Sequence, residues 1–265
     1  MPAGDFATVR DVLVAAVHEA GALALKTFQA PVKSWIKEKS SPVCEADIAV
    51  DALLRQRLCA AVPQAGWLSE ESPDDPIRLT ADQVWVIDPI DGTRGYLGGF
   101  PDWAISAALV VAGRPVVAAL YAPATEELFA ASVGQGATLN GAPMAASAGN
   151  RLAQATFSGP KRRLERLAGV EPRIAMMPRM NSLALRIARV ATGALDGAFA
   201  GPNSHDWDIA AADLLVHEAG GLLTTCEGRP VMYNRPELNH PALVAAGRDR
   251  HANLIGLTRD WPASV

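Results

Sequence analysis

VWVIDPIDGT, from Val84 to Thr93, is a run of four apolar residues followed directly by two aspartates three positions apart. The apolar run predicts a short buried strand, so Asp88 and Asp91 lie where that strand ends. Carboxylates crowded at one point repel each other unless a cation lies between them, and Mg²⁺ takes oxygen ligands of this kind. Gly92 and Thr93 can then offer backbone N–H groups to a phosphate. For DPIDGT alone, an Asp-Pro turn with a solvated second aspartate is the alternative.

The composition indicates a folded and mildly acidic protein. A chain of 265 residues suits one large domain or two small ones that pack closely, and 49% apolar residues supply a sizeable core. The net charge of −4 gives no general attraction to nucleic acid or to an anionic membrane surface. A small anionic substrate would need a local cation, which again favours a metal site.

The cysteines and the apolar runs favour a cytoplasmic protein. Cys44, Cys59 and Cys226 are widely spaced and odd in number, a pattern that gives neither a disulfide framework nor a zinc site. Reduced thiols of this kind are typical of the cytosol. The start of the chain does not resemble a signal peptide, and no apolar stretch reaches the ~18–20 residues of a membrane helix. We therefore expect no membrane and no nucleic acid polymer as a partner.

The periodicity of apolar residues divides the chain into two halves. Residues 1–145 are predicted to form two helices, joined by a polar loop over 33–42, and then a mainly antiparallel sheet that carries most of the metal ligands. In residues 146–265 helices and strands alternate, which predicts an α/β half that carries Asp208 and substrate-side residues. Both patterns imply layered sheets covered by helices.

Three acidic residues of the first half are further candidates for the site. Glu70 and Glu71 follow a short apolar strand, and because side chains alternate along a strand only one of them should point inward. A solvated acidic loop is the alternative. Asp47 lies near the positive end of the second helix, where it can cap the helix or hold a hydroxyl or a water.

The segment around Asp208 is the candidate from the second half. WDIAA, from Trp207 to Ala211, opens a helix, so Asp208 can be a helix cap or can face a metal while nearby N–H groups face an anion. His205 and Asp206 precede it, which gives three titratable groups in four residues. The chain has no GxSxG elbow, GxGxxG turn or P-loop, so neither a serine hydrolase nor a nucleotide-dependent dehydrogenase is supported.

Four motifs occur in an order that is typical of one family. SPVCEAD (41–47), SEES (69–72), DPIDGT (88–93) and WDIAAADLLVHEAGG (207–221) resemble those of the inositol monophosphatase superfamily of Mg²⁺-dependent, lithium-sensitive phosphatases. The resemblance covers about residues 10–250. It implies an α/β fold, layered as an αβαβα sandwich of the inositol monophosphatase and fructose-1,6-bisphosphatase type, and a homodimer.

The resemblance also implies roles for individual residues. The implied ligands of two or three Mg²⁺ ions are Glu70, Asp88, Asp91, Asp208 and, through its backbone carbonyl, Ile90. The implied catalytic residues are Glu70 and the pair Thr93 and Asp47, which helps to activate the attacking water. Gly92 and Thr93 would bind the phosphate through backbone N–H groups, and no covalent phospho-enzyme is required.

The substrate is where this chain departs from the inositol-specific pattern. Members cleave inositol monophosphates, 3′(2′),5′-bisphosphate nucleotides, histidinol phosphate or fructose 1,6-bisphosphate. Inositol-specific members usually carry a glutamate seven residues before the WD aspartate, and that position is Gly201 here. Arg94 can bring a positive charge to a second anionic group, although a surface arginine bonded to a carbonyl is an equal alternative. GPNS, from Gly201 to Ser204, resembles a Gly-Pro-Thr-Ser stretch of bacterial bisphosphate nucleotidases.

We therefore expect a Mg²⁺-dependent phosphomonoesterase that acts on a small phosphorylated metabolite and favours a bisphosphate nucleotide. Arg94, His205 and Asp206 are the residues expected on the substrate side, next to Gly92 and Thr93. Inositol-1-monophosphatase and histidinol-phosphatase are the alternatives within the class. A haloacid-dehalogenase phosphatase is disfavoured because its motif is DxDGT, whereas this chain has DxxDGT. A non-catalytic binding or regulatory protein on the same fold is the alternative of another class.

Overall fold

Helices and strands build two large sheets separated by a pair of helices, and two further sheets have two strands each. The computed structural model describes residues 3–36 and 42–261, so Ser41, the first residue of the SPVCEAD motif, lies outside the described residues. The helices are α1 (Ala3–Leu25), α2 (Glu45–Ala61), α3 (Thr93–Leu97), α4 (Lys161–Val170), α5 (Leu183–Ala191), α6 (Asp206–Glu218) and α7 (Arg248–Thr258). The strands are β1 (Ser34–Ile36), β2 (Pro42–Cys44), β3 (Gly66–Ser69), β4 (Gln83–Asp91), β5 (Ala104–Val111), β6 (Arg114–Ala122), β7 (Glu127–Ser132), β8 (Ala137–Leu139), β9 (Ala142–Pro143), β10 (Thr156–Ser158), β11 (Ala175–Met176), β12 (Gly197–Ala200), β13 (Ser204–His205), β14 (Gly221–Thr225), β15 (Asn239–His240) and β16 (Leu243–Gly247). The two-stranded sheets are β1-β2 and β13-β15. Within the described part of the chain, no helix combines the length and the apolar character that a bilayer crossing requires.

A seven-stranded sheet, sheet 1, is built around β4. Its strand order is β3-β4-β5-β6-β7-β8-β9, with β3 and β4 parallel and the other neighbours antiparallel. All nine residues of β4 are buried, as its apolar run predicts. Side chains alternate along the strand, so Val84 and Val86 share a hydrophobic cluster with α5 and α6, while Trp85 and Ile87 share one with α1 and α2.

A five-stranded sheet, sheet 2, covers the other side of α5 and α6. Its order is β11-β10-β12-β16-β14, with parallel and antiparallel pairs mixed. A third cluster, which includes Phe157, Leu167 and Leu254, packs α4 and α7 on its outer face. The layers therefore run α1/α2, sheet 1, α5/α6, sheet 2 and α4/α7, which confirms the expected αβαβα sandwich.

The segment before α2 differs from the sequence expectation. The predicted polar loop over 33–42 is wrong in part, because β1 and β2 pair antiparallel, with Trp35 opposite Val43. All three residues of β1 are exposed, so the strand has no buried face whose alternation would reveal it in the sequence. The expected division of the chain at residue 145 stays a prediction.

Candidate metal centre

The two aspartates of DPIDGT are brought to one cleft by an irregularity in β4. β4 pairs with β5 in regular register up to Asp88, and the register shifts before Asp91. Pro89 lies inside this irregularity, and a proline has no N–H to donate to the ladder. The N–H of Ile90 donates to Asp88 Oδ1 at 3.1 Å. Asp88, Ile90 and Asp91 all line the cleft as a result.

Acidic side chains from three elements converge in this cleft, which has a volume of about 450 Å³. Asp88, Asp91 and Asp208 each offer a carboxylate oxygen, and these oxygens lie within 4.8 Å of one another. Asp88 and Asp91 are buried, whereas the Asp208 side chain is 21% exposed. Glu70, just after β3, also lines the cleft, and Glu71 does not, as the alternation along a strand predicts.

Burial and mutual repulsion disfavour the charged form of the two aspartates of β4. Burial raises the pKa of Asp88 well above its usual value, and neighbouring charges, with Glu70 and Asp91 the largest, raise it further. Burial, and then the charge of Asp208, raises the pKa of Asp91 to about 7, against hydrogen bonds that lower it. A cation among the carboxylates offsets both effects, and carboxylate oxygens are ligands that Mg²⁺ takes. The residues present therefore fit a hard divalent cation.

Asp91 is held by the start of a helix far along the chain. Its carboxylate accepts hydrogen bonds from the Ser182 hydroxyl, from Ala184 N–H at 2.6 Å and from Leu183 N–H at 3.2 Å. Ser182 also caps α5, because its hydroxyl accepts from Leu185 N–H at 3.0 Å. The partial positive charge of a helix N-terminus favours an ionised carboxylate. The start of α5 thus orients Asp91 and offsets part of the effect of its burial.

Asp208 lies in the first turn of α6. Its Oδ2 accepts from His205 N–H at 2.6 Å as part of a capping box, so it is the third residue of the helix and not the N-cap. The same side chain lines the cleft. Asp208 therefore stabilises the helix start and also faces the other carboxylates.

Two residues expected on the substrate side do not line the cleft. The Asp206 side chain is 1% exposed, and its oxygens lie 2.6 Å from His240 Nε2 and 2.7 Å from the N–H of Asn234, which donates to it. His205 stacks on the Trp207 ring with 4.7 Å between the centroids. The structure corrects the expectation for Asp206, whose carboxylate is buried against other residues. His205 Nδ1 lies 3.8 Å from Asp208 Oδ2, and its substrate role stays a prediction.

Thr93 and Asp47 meet across 46 positions of sequence. The Thr93 hydroxyl lies 3.2 Å from Asp47 Oδ1 and 3.0 Å from Ile90 O, and it can donate to either. The other oxygen of Asp47 accepts from Cys44 N–H at 2.8 Å and from the Cys44 thiol at 2.9 Å, which closes the capping box of α2. The helix start therefore fixes Asp47, and Asp47 reaches the cleft through Thr93.

Gly92 makes the sharp turn from β4 into α3. Its φ is +96°, and a Cβ there would lie 3.1 Å from Ser182 N and 3.2 Å from Asp102 O. Glycine is the residue that tolerates both the backbone conformation and the close approach. Gly92 and Thr93 line the cleft together with the exposed Arg94.

One wall of the cleft is absent from the sequence expectations. Arg179, Met180 and Asn181 line it, and Asp102 holds this segment by accepting from Asn181 N–H at 2.6 Å, across 79 positions. No motif marks these three residues. The one usable signal is Ser182, an N-cap residue type just before the helical pattern of α5, which predicts a helix start nearby.

Comparisons with known proteins cover most of the chain. The model of the inositol monophosphatase family matches residues 5–261. The inositol-1-monophosphatase of Rhizobium meliloti (strain 1021) is 35% identical over 230 residues, with 82% of this chain and 85% of the relative covered. The Nus factor SuhB of Escherichia coli (strain K12) is 34% identical over 230 residues, with the same coverage.

A solved structure of a relative has the same fold. The extragenic suppressor protein SuhB from Bartonella henselae matches with a TM-score of 0.85 and 29% identity, covering 96% of this chain and 100% of that one. The family match agrees with the order of the four motifs and with the αβαβα layers. The chain therefore belongs to the inositol monophosphatase family and is a phosphoric monoester hydrolase.

Proposed function

We propose that the cleft at the end of β4 is a Mg²⁺ centre at which a small phosphorylated metabolite is hydrolysed. The residues proposed to hold two or three ions are Glu70, Asp88, Asp91, Asp208 and, through its carbonyl oxygen, Ile90. The observation that carries the proposal is the approach of three aspartates to within 4.8 Å in a site where burial disfavours their charge.

The proposed reaction is direct attack of water on phosphorus. Mg²⁺ held by these residues would supply positive charge beside the phosphate oxygens and would lower the pKa of the attacking water. Thr93 donates its hydroxyl proton to Asp47, so its lone pairs are free to accept a hydrogen bond from the attacking water. Glu70 is the second carboxylate proposed to hold this water. The N–H groups of Gly92 and Thr93 bind the phosphate, and no group of the protein becomes phosphorylated.

We favour a 3′(2′),5′-bisphosphate nucleotide as the substrate. Gly201 has no side chain with which to bind ring hydroxyls, and a site without such a partner does not select strongly for a hydroxyl. Arg94 is exposed at the cleft, where its forked donors suit a second phosphate. Histidinol phosphate and inositol 1-phosphate are the alternatives within the class, the second because the Rhizobium meliloti relative is named an inositol-1-monophosphatase.

A phosphate-release screen tests the proposal. The four substrates are inositol 1-phosphate, adenosine 3′,5′-bisphosphate, histidinol phosphate and fructose 1,6-bisphosphate, each with Mg²⁺ and with EDTA. Asp88→Asn is compared with Asp82→Asn, which changes an exposed aspartate just before the first residue of β4. We expect wild type to release phosphate only with Mg²⁺. Asp88→Asn should release none, and Asp82→Asn should release as much as wild type.

Two results would count against different parts of the proposal. Undiminished release in EDTA or by Asp88→Asn would overturn the metal centre. A clear preference for inositol 1-phosphate over the nucleotide would overturn the substrate assignment and leave the metal centre standing.

A binding role is the second candidate function. It is kept because the Escherichia coli relative is named a Nus factor. The two functions are separable, since a binding role would survive Asp88→Asn and hydrolysis would not.

We also propose that the protein is a cytoplasmic homodimer without a nucleic acid polymer or a membrane as partner. The net charge of −4 supports the absence of polyanionic partners. Light scattering tests the assembly: a mass of two chains supports it, and a mass of one chain overturns it.

A further inference from the structure

A second cavity adjoins the metal cleft. It has a volume of about 280 Å³ and shares with the cleft the wall of Arg179, Met180 and Asn181. We call it the Arg186 cavity. Outside the shared wall, its lining includes Arg186, Gly201 and Ser204.

Arg186, on α5, is a buried cation that makes no ion pair within residues 3–36 and 42–261. It is 4% exposed, its Nε has no hydrogen-bond partner, and its side chain makes no ion pair with any residue that the structure describes. Arginine is almost never fully buried unless it is paired, because burying an unpaired charge is unfavourable. Burial, and then the charge of Arg179, lowers its pKa to about 10, against the opposing effect of Asp91, so Arg186 is still cationic at neutral pH.

Two other residues of the cavity suit a small anion: Gly201 leaves space for it, and Ser204 offers a hydroxyl donor. Ser204 is 7% exposed, and among the described residues its hydroxyl has no hydrogen-bond partner. A Cβ on Gly201 would find only one atom within 4 Å, Pro160 Cγ at 3.8 Å, so the cavity is open there because the side chain is missing. Arg179 adds a second positive charge on the shared wall.

We propose that the Arg186 cavity binds a second anionic group of the substrate, a phosphate or a carboxylate, while the scissile phosphate lies in the metal cleft. This inference rests on the proposed function of that cleft. Among the described residues, neither Nε of Arg186 nor the hydroxyl of Ser204 has a hydrogen-bond partner, and one anionic group can accept from both.

The two sites lie close enough for one small molecule. Arg186 is four residues from Ser182, about one helical turn or ~5.4 Å along the axis. Ser182 in turn donates to Asp91 in the metal cleft. The substrate class is therefore a small monoester with a second anionic group, and Arg186 joins Arg94 as a determinant of that choice.

Sulfate binding tests the cavity without any turnover. Sulfate is added at millimolar concentration in EDTA, at an ionic strength held constant with NaCl, and the melting temperature of wild type is compared with that of Arg186→Met. Arg162→Met, at an exposed position of α4, is the matched control. We expect sulfate to raise the melting temperature of wild type and control by mass action, and not that of Arg186→Met.

The same variants separate a binding role from a structural one. Without sulfate, Arg186→Met should melt about 2–4 °C above wild type, because an unpaired buried charge has been removed. An arginine that merely supports the fold would give a lower melting temperature. Gly201→Glu is the second variant: its carboxylate would pair with Arg186 inside the open space, so the sulfate effect should again be lost.

Matched substrate pairs identify the kind of anion. Adenosine 3′,5′-bisphosphate is compared with adenosine 3′-monophosphate, and 3-phosphoglycerate with glycerol 3-phosphate. We expect wild type to favour the two-anion member of one pair in kcat/KM. Arg186→Met should reduce that preference about 10–100-fold, mainly through KM, because a remote contact binds ground and transition states alike. If Arg186→Met changes the preference in the adenosine pair, the second anionic group is a phosphate; if it changes the preference in the glycerol pair, that group is a carboxylate.

The inference and the proposed function fail in different ways. Equal sulfate stabilisation of wild type and Arg186→Met, or a substrate preference that Arg186→Met keeps, would overturn the inference. A protein that releases no phosphate from any substrate with Mg²⁺ would overturn the proposed function, and the sulfate titration would still decide whether the cavity binds an anion.

Discussion

Asp91→Asn should stabilise the metal-free protein at alkaline pH and at the same time abolish Mg²⁺-dependent turnover. The pKa of Asp91 is raised from 3.8 to about 7, mainly by burial. The folded-state pKa lies above that of the unfolded chain, so ionisation of Asp91 destabilises the fold. This destabilisation is absent below pH ~4, grows between pH ~4 and ~7, and is complete above pH ~7. A difference of about 3 pKa units corresponds to about 4 kcal/mol, which asparagine avoids.

The lost hydrogen bonds oppose this gain. Asp91 accepts from the Ser182 hydroxyl and from the N–H groups of Leu183 and Ala184, and an asparagine would turn an NH₂ group toward one of these donors. Losing a hydrogen bond to a charged acceptor costs about 1.5–3 kcal/mol. The expected net stabilisation at pH 8 is therefore about 1–2 kcal/mol, or about 2–8 °C in melting temperature for a chain of this size.

Thermal unfolding in EDTA at pH 8 and pH 5 measures this balance. At pH 5 the destabilisation by ionisation falls to less than half of its value at pH 8, so the lost hydrogen bonds dominate and Asp91→Asn should be the less stable protein. Asp82→Asn, at an exposed position, is the control and should match wild type at both pH values. Adding Mg²⁺ should stabilise wild type and not Asp91→Asn. An Asp91→Asn protein that is less stable than wild type at pH 8, or whose melting temperature shifts equally at both pH values, would show that ionised Asp91 does not destabilise the fold.

Three further predictions concern turnover. Thr93→Ala, which removes the hydroxyl held 3.2 Å from Asp47, should lower kcat by about 10²–10⁴-fold and change KM less; an unchanged kcat would leave Thr93 with a backbone role only. Li⁺ should inhibit at high Mg²⁺ by occupying a carboxylate-lined metal position, and full activity in LiCl, relative to KCl at equal ionic strength, would count against it. Arg94→Ala should narrow the preference for adenosine 3′,5′-bisphosphate over inositol 1-phosphate, mainly through KM, and unaltered selectivity would remove Arg94 from substrate recognition.

The parts of the site that are predictable from sequence are those in which one short segment fixes its own geometry. The apolar run of β4 predicts a buried strand, and the aspartates that follow it are placed by that strand and by Pro89. The alternation after β3 predicts that only one of Glu70 and Glu71 points inward, and Glu70 is the one that lines the cleft. The layered fold follows likewise from the alternation of elements and from the order of the motifs.

The parts that are not predictable depend on contacts between distant segments. The hydrogen bond from the Ser182 hydroxyl to Asp91 spans 91 positions, and no sequence pattern near either residue predicts it. The sequence places Asp206 among the substrate-side residues, whereas its buried carboxylate lies 2.6 Å from His240 Nε2. Arg163 directly follows the exposed residues Lys161 and Arg162, yet it is 1% exposed and donates to the Cys226 sulfur.

Burial of a charged side chain is the hardest of these features to foresee. Arg186 stands between the apolar residues Leu185 and Ile187, where an arginine ordinarily marks the solvent face of a helix. Because α5 lies between two sheets, it has little solvent face, and the arginine is enclosed. Only the packing of the layers reveals that this charge lies beside the site.

Anomalous diffraction from crystals soaked in MnCl₂ tests the metal centre most directly, because Mn²⁺ takes the same hard oxygen ligands as Mg²⁺. A metal centre in this cleft should give at least one anomalous peak within bonding distance of the carboxylate oxygens of Asp88, Asp91 and Asp208. A map with no peak in this cleft, at a Mn²⁺ concentration that supports turnover in solution, would contradict it.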